Sequence, residues 1–380
     1  MTNNTEIPPK GNWSPALILV TIGICTSGTL ALISAKITGT TYNFKHSMIQ
    51  TLLMFIGEYL NILLFSMPLI ASPPTRHAHF DRLTTDARLN RLDLHGSSLW
   101  VALPSLMDAI GSGLGIASLL LLPASISLML QGGQIISTCV FAKIINKQAI
   151  LTHQIVGVMI STVGFLIVGL AGYISAHEDT ADNNIAGNFM LGIFFILINL
   201  TMGGLSLNIE ELIMNRIAIT PQRMVGLEGI FGLIWMMGAI GILSYLPCLD
   251  KQLCDIRGYT EDVIVAIKEI GNSNGLIFWS ITYSLSVTVF NFTGMYSAKH
   301  MSSVFRIFWS SMVIVLVWIA CLVLGFERFG GLAFMIQAIG FSMLVLANFT
   351  YNGFVKWPCV KDDSEDDGKP EAKTNKYVQL

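Results

Sequence analysis

The residues of this sequence that could do chemistry are polar side chains embedded in long apolar stretches. Asp108 is the only charged residue between positions 98 and 142, and Glu58 and Asn291 stand in similar apolar surroundings. An apolar environment cannot solvate such a group, so an ionisable residue there usually faces a polar pathway. A carboxylic acid in that position can bind and release a proton. Asp108 and Glu58 are therefore predicted to lie on a pathway for a solute or a proton, and Asn291 to lie beside it.

Ordinary helix packing is the alternative role for each of these residues. The Asp108 carboxyl could hydrogen-bond to Gln131 or to a backbone group, and Asn291 could join two helices. Gln131 and Gln134 are three positions apart. In a continuous helix they would share one face, which suits residues that line a pathway.

Charged residues also mark the ends of several apolar stretches. Glu210 and Glu211 could gate a cavity by pairing with Arg216 or Arg223, or they could form an ordinary solvated helix end. Either reading places them close to the aqueous side.

Three further charged residues lie near segment ends in the second half of the chain. Glu228 opens an apolar segment, where a carboxylate can cap the helix or take part in transport. Lys299 and Arg306 flank a short break between two apolar segments. Arg306 is predicted to face the cavity, and the alternative is a side chain that extends to the lipid headgroups.

The elements that must position these residues are membrane-spanning helices. Hydrophobic residues make up 53% of the chain and charged residues only 12%, against about a quarter charged in soluble domains. The apolar residues form runs of the length that crosses a bilayer, about 20 residues. The fold class predicted is all-α integral membrane, with ten transmembrane helices at 15–36, 46–70, 98–121, 122–143, 151–173, 188–212, 225–246, 275–298, 302–325 and 331–354.

The distribution of arginine and lysine predicts the orientation of these helices. The break at 71–97 carries four arginines, whereas 174–187 carries no lysine or arginine. The positive-inside rule places the first break in the cytosol and the second in the lumen, so both termini are cytosolic. The lumenal break 247–274 runs against this rule because it carries three basic residues.

Two halves of the chain share short similarities. Asp108-Ala-Ile-Gly111 corresponds in spacing to Asn291-Phe-Thr-Gly294, and Glu58 has a counterpart in Glu228. We predict two five-helix repeats, 15–173 and 188–354, between a cytosolic segment 1–14 and a disordered cytosolic tail 355–380. Because five is odd, the second repeat enters the membrane inverted, and such repeats place the substrate site between them.

Cysteines and the tail give two further predictions. Cys248 and Cys254 lie on the lumenal side, where a disulfide or two free thiols are equally compatible with the sequence. Tyr377-Val-Gln-Leu380 fits the Tyr-x-x-apolar pattern read by endosomal and lysosomal sorting adaptors.

The composition also bears on other ligands. A net charge of -2 gives no reason to expect nucleic acid. His77 and His79 stand near Asp81 without a fourth ligand, so no metal site is predicted. No cofactor is predicted either. Catalysis is not expected, because the sequence offers no nucleophile with an adjacent base.

The order and spacing of many short motifs resemble the drug/metabolite transporter superfamily, and within it are most similar to the member F6 type of solute carrier family 35. The resemblance covers nearly the whole chain between the termini. Its stretches are Asn43-Phe-Lys-His46 with Gln50, Met54 to Glu58, Pro104 to Asp108 with Gly111, Met129-Leu-x-Gly132, Gly226 to Gly232, Phe290-Asn-Phe-x-Gly294, Lys299, Arg306, Gly325-x-Glu327 and Tyr351-Asn-Gly353.

The resemblance implies a carrier of two inverted repeats that works by alternating access in lysosomal or other endomembranes. The chain is more distantly similar to nucleotide-sugar carriers and to chloroquine-resistance-type transporters. It departs from the family type at four positions: Leu128 and Gln131 replace Gln and Arg, and Ser310 and Val313 replace Asp and Arg. Arginine is the preferred bidentate partner of phosphate, so these departures disfavour a nucleotide-sugar substrate.

The function predicted is a secondary-active carrier of small organic solutes across an endomembrane, with proton coupling through Asp108 and Glu58. The expected partners are the solute, membrane lipid, sorting adaptors at the tail and a second copy in a homodimer. A nucleotide-sugar transporter is the alternative within transport. A receptor or scaffold that recruits partners through 71–97 or the tail is the alternative of another class.

Overall fold

The computed structural model describes residues 15–70, 97–147, 150–178, 183–216, 219, 221–245, 261–300, 303–325 and 331–355. All regular structure in these ranges is helical, with twelve α-helices and one 3₁₀ turn. The prediction of an all-α protein is confirmed for this part of the chain. A bilayer favours this architecture because a helix satisfies its backbone hydrogen bonds internally.

The helices follow the apolar segments of the sequence. The first half contains α1 (Pro15–Thr40), α2 (Ser47–Ile70), a 3₁₀ turn (Ser97–Val101) leading into α3 (Ala102–Leu121), α4 (Ala124–Gln131), α5 (Gln134–Ile144) and α6 (Thr152–Glu178). The second half contains α7 (Asn183–Arg216), α8 (Pro221–Leu243), α9 (Val263–Asn272), α10 (Asn274–His300), α11 (Ser303–Val323) and α12 (Leu332–Tyr351).

Seven of the described helices are long and apolar enough to cross a membrane. They are α1, α3 with its preceding turn, α6, α7, α8, α10 and α12. These helices support a multi-pass membrane protein. The count of ten spans also requires α2, α4 together with α5, and α11 to cross, and it stays a prediction.

The predicted helix 122–143 is wrong as a single element. It divides into α4 and α5 at Gly132 and Gly133, where backbone hydrogen bonds join residues three apart, from Gly132 N to Met129 O (2.9 Å) and from Gly133 N to Leu130 O (2.9 Å). Each glycine costs a helix interior about 1 kcal/mol relative to alanine, so two in succession are a favourable place for the break.

Helix α9 lies within 247–274, which the sequence reading treated as a loop. Asp262 caps it by accepting hydrogen bonds from Ile264 N (2.9 Å) and Val265 N (3.1 Å). His46, just before α2, lies between two carboxylates: its Nδ1 is 3.1 Å from Glu261 Oε1, and its Nε2 is 3.7 Å from Glu269 Oε2. His46 and Glu261 are buried, and their contact joins the start of α9 to the start of α2.

Four helix pairs make the most extensive contacts, namely α6 with α12, α3 with α7, α2 with α8, and α1 with α10. The α2–α8 pair is antiparallel, because Gly226 faces Ile62 whereas Gly232, further along α8, faces Phe55, earlier in α2. The other three pairs run antiparallel in the same way. Glycines at these contacts let the backbones approach closely, as expected where small residues line helix interfaces.

Alanine in place of Gly229 tests whether the α2–α8 contact holds the fold. A Cβ at Gly229 would lie 2.8 Å from the Glu58 carbonyl carbon and 2.9 Å from Tyr59 Cα, both backbone atoms that cannot rotate away. Overpacking of this kind costs about 1–3 kcal/mol. We expect Gly229→Ala to lower the melting temperature of the purified protein in detergent.

Gly238 is the matched control on the same helix, since a Cβ there would meet nothing within 4 Å. Gly238→Ala should leave the melting temperature unchanged or raise it, because alanine favours helix by about 1 kcal/mol over glycine. Equal melting temperatures for the two variants would contradict the close contact between α2 and α8.

Candidate functional site

A cavity of about 290 Å³ lies among helices of both halves of the chain. Its walls come from α1, α2, α3, α4 and α5 of the first half and from α7, α8, α10 and α11 of the second. Five residues that the sequence predicted for the pathway line this cavity: Asp108, Gln131, Gln134, Asn291 and Arg306. Gln131 ends α4 and Gln134 begins α5. The two glutamines therefore reach the cavity from either side of the glycine break, and the prediction of one continuous helix face is wrong.

Asp108 lies on α3, one helical turn before Ser112. The Ser112 hydroxyl donates a hydrogen bond to Asp108 Oδ1 over 2.8 Å. This carboxyl thus has a local partner on its own helix, rather than the Gln131 considered from the sequence.

Glu58 lies just behind the cavity wall and is 1% exposed. Asn291, which lines the cavity, donates a hydrogen bond from its Nδ2 to Glu58 Oε1. Glu58 Oε2 has no hydrogen-bond partner among the described residues. The neighbouring Gly57 packs against α10, where the Ser284 hydroxyl donates to the Leu53 carbonyl over 2.8 Å. Glu58 is therefore connected to the cavity through a side chain of the opposite half.

Glu228 does not cap a helix, which corrects one of its two predicted roles. Helix α8 begins at Pro221 and not near position 225, so Glu228 lies two turns inside it. Proline at a first helical position has the right backbone angle and lacks an amide that would go unpaired. Glu228 lines the cavity and is 8% exposed, and its Oε1 has no hydrogen-bond partner in the described ranges.

Glu210 pairs with Arg306 instead of the predicted Arg216 or Arg223. Arg306 Nη1 on α11 lies 2.8 Å from Glu210 Oε2 on α7. The Ser206 hydroxyl donates to the other carboxylate oxygen of Glu210 over 3.0 Å. Glu210 is buried, so the reading of a solvated helix end is also wrong. The sequence does not indicate this pair, because Arg306 is 96 residues from Glu210 in the chain and the cations considered for Glu210 were those close to it in sequence.

Other predicted residues lie at the edge of this site or outside it. Glu211 lines a small adjoining pocket together with Glu210 and Arg306. Lys299 belongs to α10, but its side chain lies outside the described part of the structure. Cys248 and Cys254, for which the sequence leaves a disulfide or two free thiols open, lie outside the described residues, as does the predicted sorting motif Tyr377 to Leu380.

The electrostatic balance of the cavity is acidic. Asp108, Glu210 and Glu228 line it, and Glu58 lies directly behind it. Arg306 is the only lysine or arginine among the lining residues that the structure describes. These five groups interact electrostatically with one another. Within the described ranges, no three His, Cys, Asp or Glu side chains are arranged to hold a metal ion.

Two cavity residues were missed by the sequence reading. Asn199 on α7 packs against Gly111 and Gly115 of α3, and Tyr283 on α10 is buried at the cavity wall. Asn199 is an amide in an otherwise apolar run, which is the signal that singled out Asn291. The tyrosine gave no such signal, because tyrosine is common in apolar helices.

Comparison with known proteins confirms the resemblance found in the motifs. Solute carrier family 35 member F6 of Rattus norvegicus is 26% identical over 314 residues, which cover 82% of this chain and 79% of the relative. The protein of the same name from Pongo abelii is 26% identical over 339 residues, 89% of this chain and 86% of the relative. An uncharacterized protein of Schizosaccharomyces pombe is 27% identical over 260 residues, 68% of this chain and 76% of the relative. No protein-family model matches the chain.

Removal of either partner of the Arg306–Glu210 pair should destabilise the protein. Breaking a fully buried pair costs about 3–5 kcal/mol because it leaves a charge without compensation. The cost should be smaller here, since 13% of the Arg306 side chain is exposed. We expect Arg306→Met and Glu210→Gln each to lower the melting temperature in detergent.

The double variant separates this pairing from the packing of each side chain. Arg306→Met with Glu210→Gln should be more stable than the sum of the single losses predicts, because no unpaired charge remains. Strictly additive losses would mean that the two groups do not interact in the folded protein.

Proposed function

We propose that this chain, a homologue of the Solute carrier family 35 member F6 proteins, is a secondary-active carrier that moves small organic solutes across an endomembrane by alternating access. One observation carries the proposal: a cavity lined by helices of both halves, whose wall includes Asp108 of α3 and Asn291 of α10, the two residues matched in the predicted repeat. A receptor or scaffold has no need of matched polar residues in such a cavity. Ligand sites are generally apolar cavities with a few convergent polar groups.

The arrangement of the helices supports the ten-span inverted repeat that such a carrier requires. In this scheme α2 corresponds to α8 and α6 to α12. Both pairs are in contact and run antiparallel. Counterparts in an inverted repeat are oppositely directed across the membrane, whereas repeats in the same orientation would run parallel.

The remaining contacts follow the same symmetry. If α1 corresponds to α7 and α3 to α10, exchanging the halves converts the α3–α7 contact into the α10–α1 contact. Both are among the four most extensive contacts. Likewise the contact of α5 with α7 corresponds to that of α11 with α1, and both contacts are extensive. The pairing supports two structurally equivalent halves around one cavity.

Proton coupling is proposed to act through Asp108 and Glu58. Asp108 faces the cavity beside Ser112, and Glu58 is reached from the cavity through Asn291. The charged groups around them are Glu210, Glu228 and Arg306. A carboxyl that takes up a proton on one side and releases it on the other links solute movement to a pH gradient.

Solute exchange by purified protein in liposomes tests the carrier function. Amino acids, short peptides, organic cations and nucleotide sugars would be compared with and without a pH gradient. We expect saturable exchange of one of these classes that a pH gradient stimulates. Asp108→Asn should abolish the stimulation, since the amide cannot exchange a proton.

Glu269→Gln, which changes a carboxyl on α9 outside the cavity, is the matched control and should retain stimulated exchange. If Asp108→Asn responded to the gradient like the unaltered protein, proton coupling through this residue would be wrong. Folded protein without exchange of any tested class would favour the receptor or scaffold alternative.

The sorting motif in the tail allows the subcellular location of the protein to be tested independently of solute exchange. Tyr377→Ala removes the aromatic residue on which the Tyr-x-x-apolar pattern depends. We expect the variant to move from endosomes and lysosomes towards the cell surface in fluorescence microscopy, while exchange in liposomes stays unchanged. Replacement of the neighbouring Asn375 by alanine is the control and should leave the location unaltered. An unchanged location of Tyr377→Ala would show that the motif does not direct sorting.

A further inference from the structure

The carboxyl groups of the cavity outnumber its cations once the ion pairs are assigned. Arg306 is engaged with Glu210 at 2.8 Å, so these two charges compensate each other. Asp108 and Glu228 remain on the wall, and Arg306 is the sole lysine or arginine among the described lining residues. A carboxylate away from water is costly unless a positive charge or hydrogen bonds compensate it.

Of the two carboxyls, that of Glu228 has fewer compensating contacts and therefore bears more of this desolvation cost. Asp108 receives a hydrogen bond from Ser112, whereas Glu228 Oε1 has no partner within the described ranges although the residue is more than nine-tenths buried. The Ser105 hydroxyl bonds to the Glu228 backbone carbonyl and not to its carboxyl. Because Glu228 is also one of the residues that line the cavity, its carboxyl is suited to a ligand that brings a donor or a positive charge.

The rest of the wall is largely apolar and includes two aromatic rings. Tyr283 and Phe290 lie on α10, and Met54, Val287 and Ile314 contribute aliphatic surface. The faces of aromatic rings attract ammonium groups in addition to apolar groups. The volume of about 290 Å³ stands at the low end of the range for small-molecule sites, about 300–1,000 Å³.

We propose that the cavity binds a small organic cation, with its ammonium group at Asp108 and Glu228 and its apolar part against Tyr283 and Phe290. This substrate class deepens the proposed carrier function and rests on it. A phosphate-bearing anion fits less well, because Arg306, the sole lysine or arginine among the described lining residues, is already paired with Glu210. A bare metal ion fits less well, because no three His, Cys, Asp or Glu side chains of the described residues are arranged to hold one.

Equilibrium binding to purified protein in lipid nanodiscs tests this assignment without any need for transport. Three probes of similar shape are 2-phenylethyl-trimethylammonium, which is permanently charged, 2-phenylethylamine and the neutral 2-phenylethanol. We expect both cations to bind about tenfold or more tightly than the alcohol, since truncation of a buried charge contact weakens binding by at least this factor. Equal or tighter binding of the alcohol would overturn the proposal.

Glu228→Gln keeps the shape of the side chain and removes its charge. It should weaken binding of the quaternary ammonium probe about tenfold or more and leave binding of 2-phenylethanol unchanged. Glu269→Gln is the control and should bind all three probes as the unaltered protein does. Loss of affinity for cation and alcohol alike would indicate a general change of cavity shape and would count against the charge contact.

The comparison of the three probes on the unaltered protein keeps the test valid if Glu228→Gln does not fold. Absence of measurable binding of either cation at millimolar concentration would also overturn the proposal. Exchange of amino acids, peptides or nucleotide sugars in liposomes would then leave the carrier function standing with another substrate class. Failure of both experiments would remove both proposals.

Discussion

The close antiparallel contact of α2 with α8 is the constraint on which the site depends. Gly226, Gly229 and Gly232 are spaced three apart, so they form one face of α8 that meets the backbone and side chains of α2. Helices in a bilayer gain little from burying apolar surface against each other, because lipid is equally apolar. Close van der Waals contact and polar interactions must hold them together. At this contact Glu58 and Glu228 are both buried, one on each helix.

Several polar groups of this protein pair with one another across helices. Asn291 donates to Glu58 across the two halves, and Arg306 pairs with Glu210 between α11 and α7. A second polar cluster, His46 with Glu261 and Glu269, lies at the start of α2. Because α2 and α8 are antiparallel, the His46 cluster at the start of α2 lies near the end of α8. Glu210 lies near the end of α7, and α7 leads into the start of α8. The two polar clusters therefore lie towards opposite ends of the helical bundle.

The sequence was sufficient to predict helices, and much of the site, because both depend on local patterns. Apolar runs indicated the helices, and isolated polar residues such as Asp108 and Asn291 indicated the cavity. Pairings between distant segments were not accessible in this way. Glu210 and Arg306 are far apart in the chain, and nothing in the local sequence of either residue indicates the other.

Errors at helix boundaries had a different cause. Proline at position 221 began α8 earlier than the apolar pattern suggested, which moved Glu228 from a capping position into the cavity wall. The glycine pair at 132–133 divided a segment that was apolar enough to appear continuous. In both places the helix preference of proline or glycine determines where the helix begins or ends, and a hydropathy pattern contains no information about that preference.

Glycines of one stretch that carries the resemblance to the member F6 type lie at a helix contact, whereas most of the departures from that type line the cavity. Within the shared stretch Gly226 to Gly232, the three glycines lie at the α2–α8 contact, where a Cβ on any of them would collide with atoms of α2. Three of the four departures, Gln131, Ser310 and Val313, line the cavity. The fourth, Leu128, is buried in an apolar cluster with Val313 and Val317. One fold can host different functions, so the function of this chain has to be argued from its cavity side chains. Arg306 is the sole lysine or arginine among the described lining residues and is paired with Glu210, which leaves the carboxyls of Asp108 and Glu228 without a cation on the cavity wall.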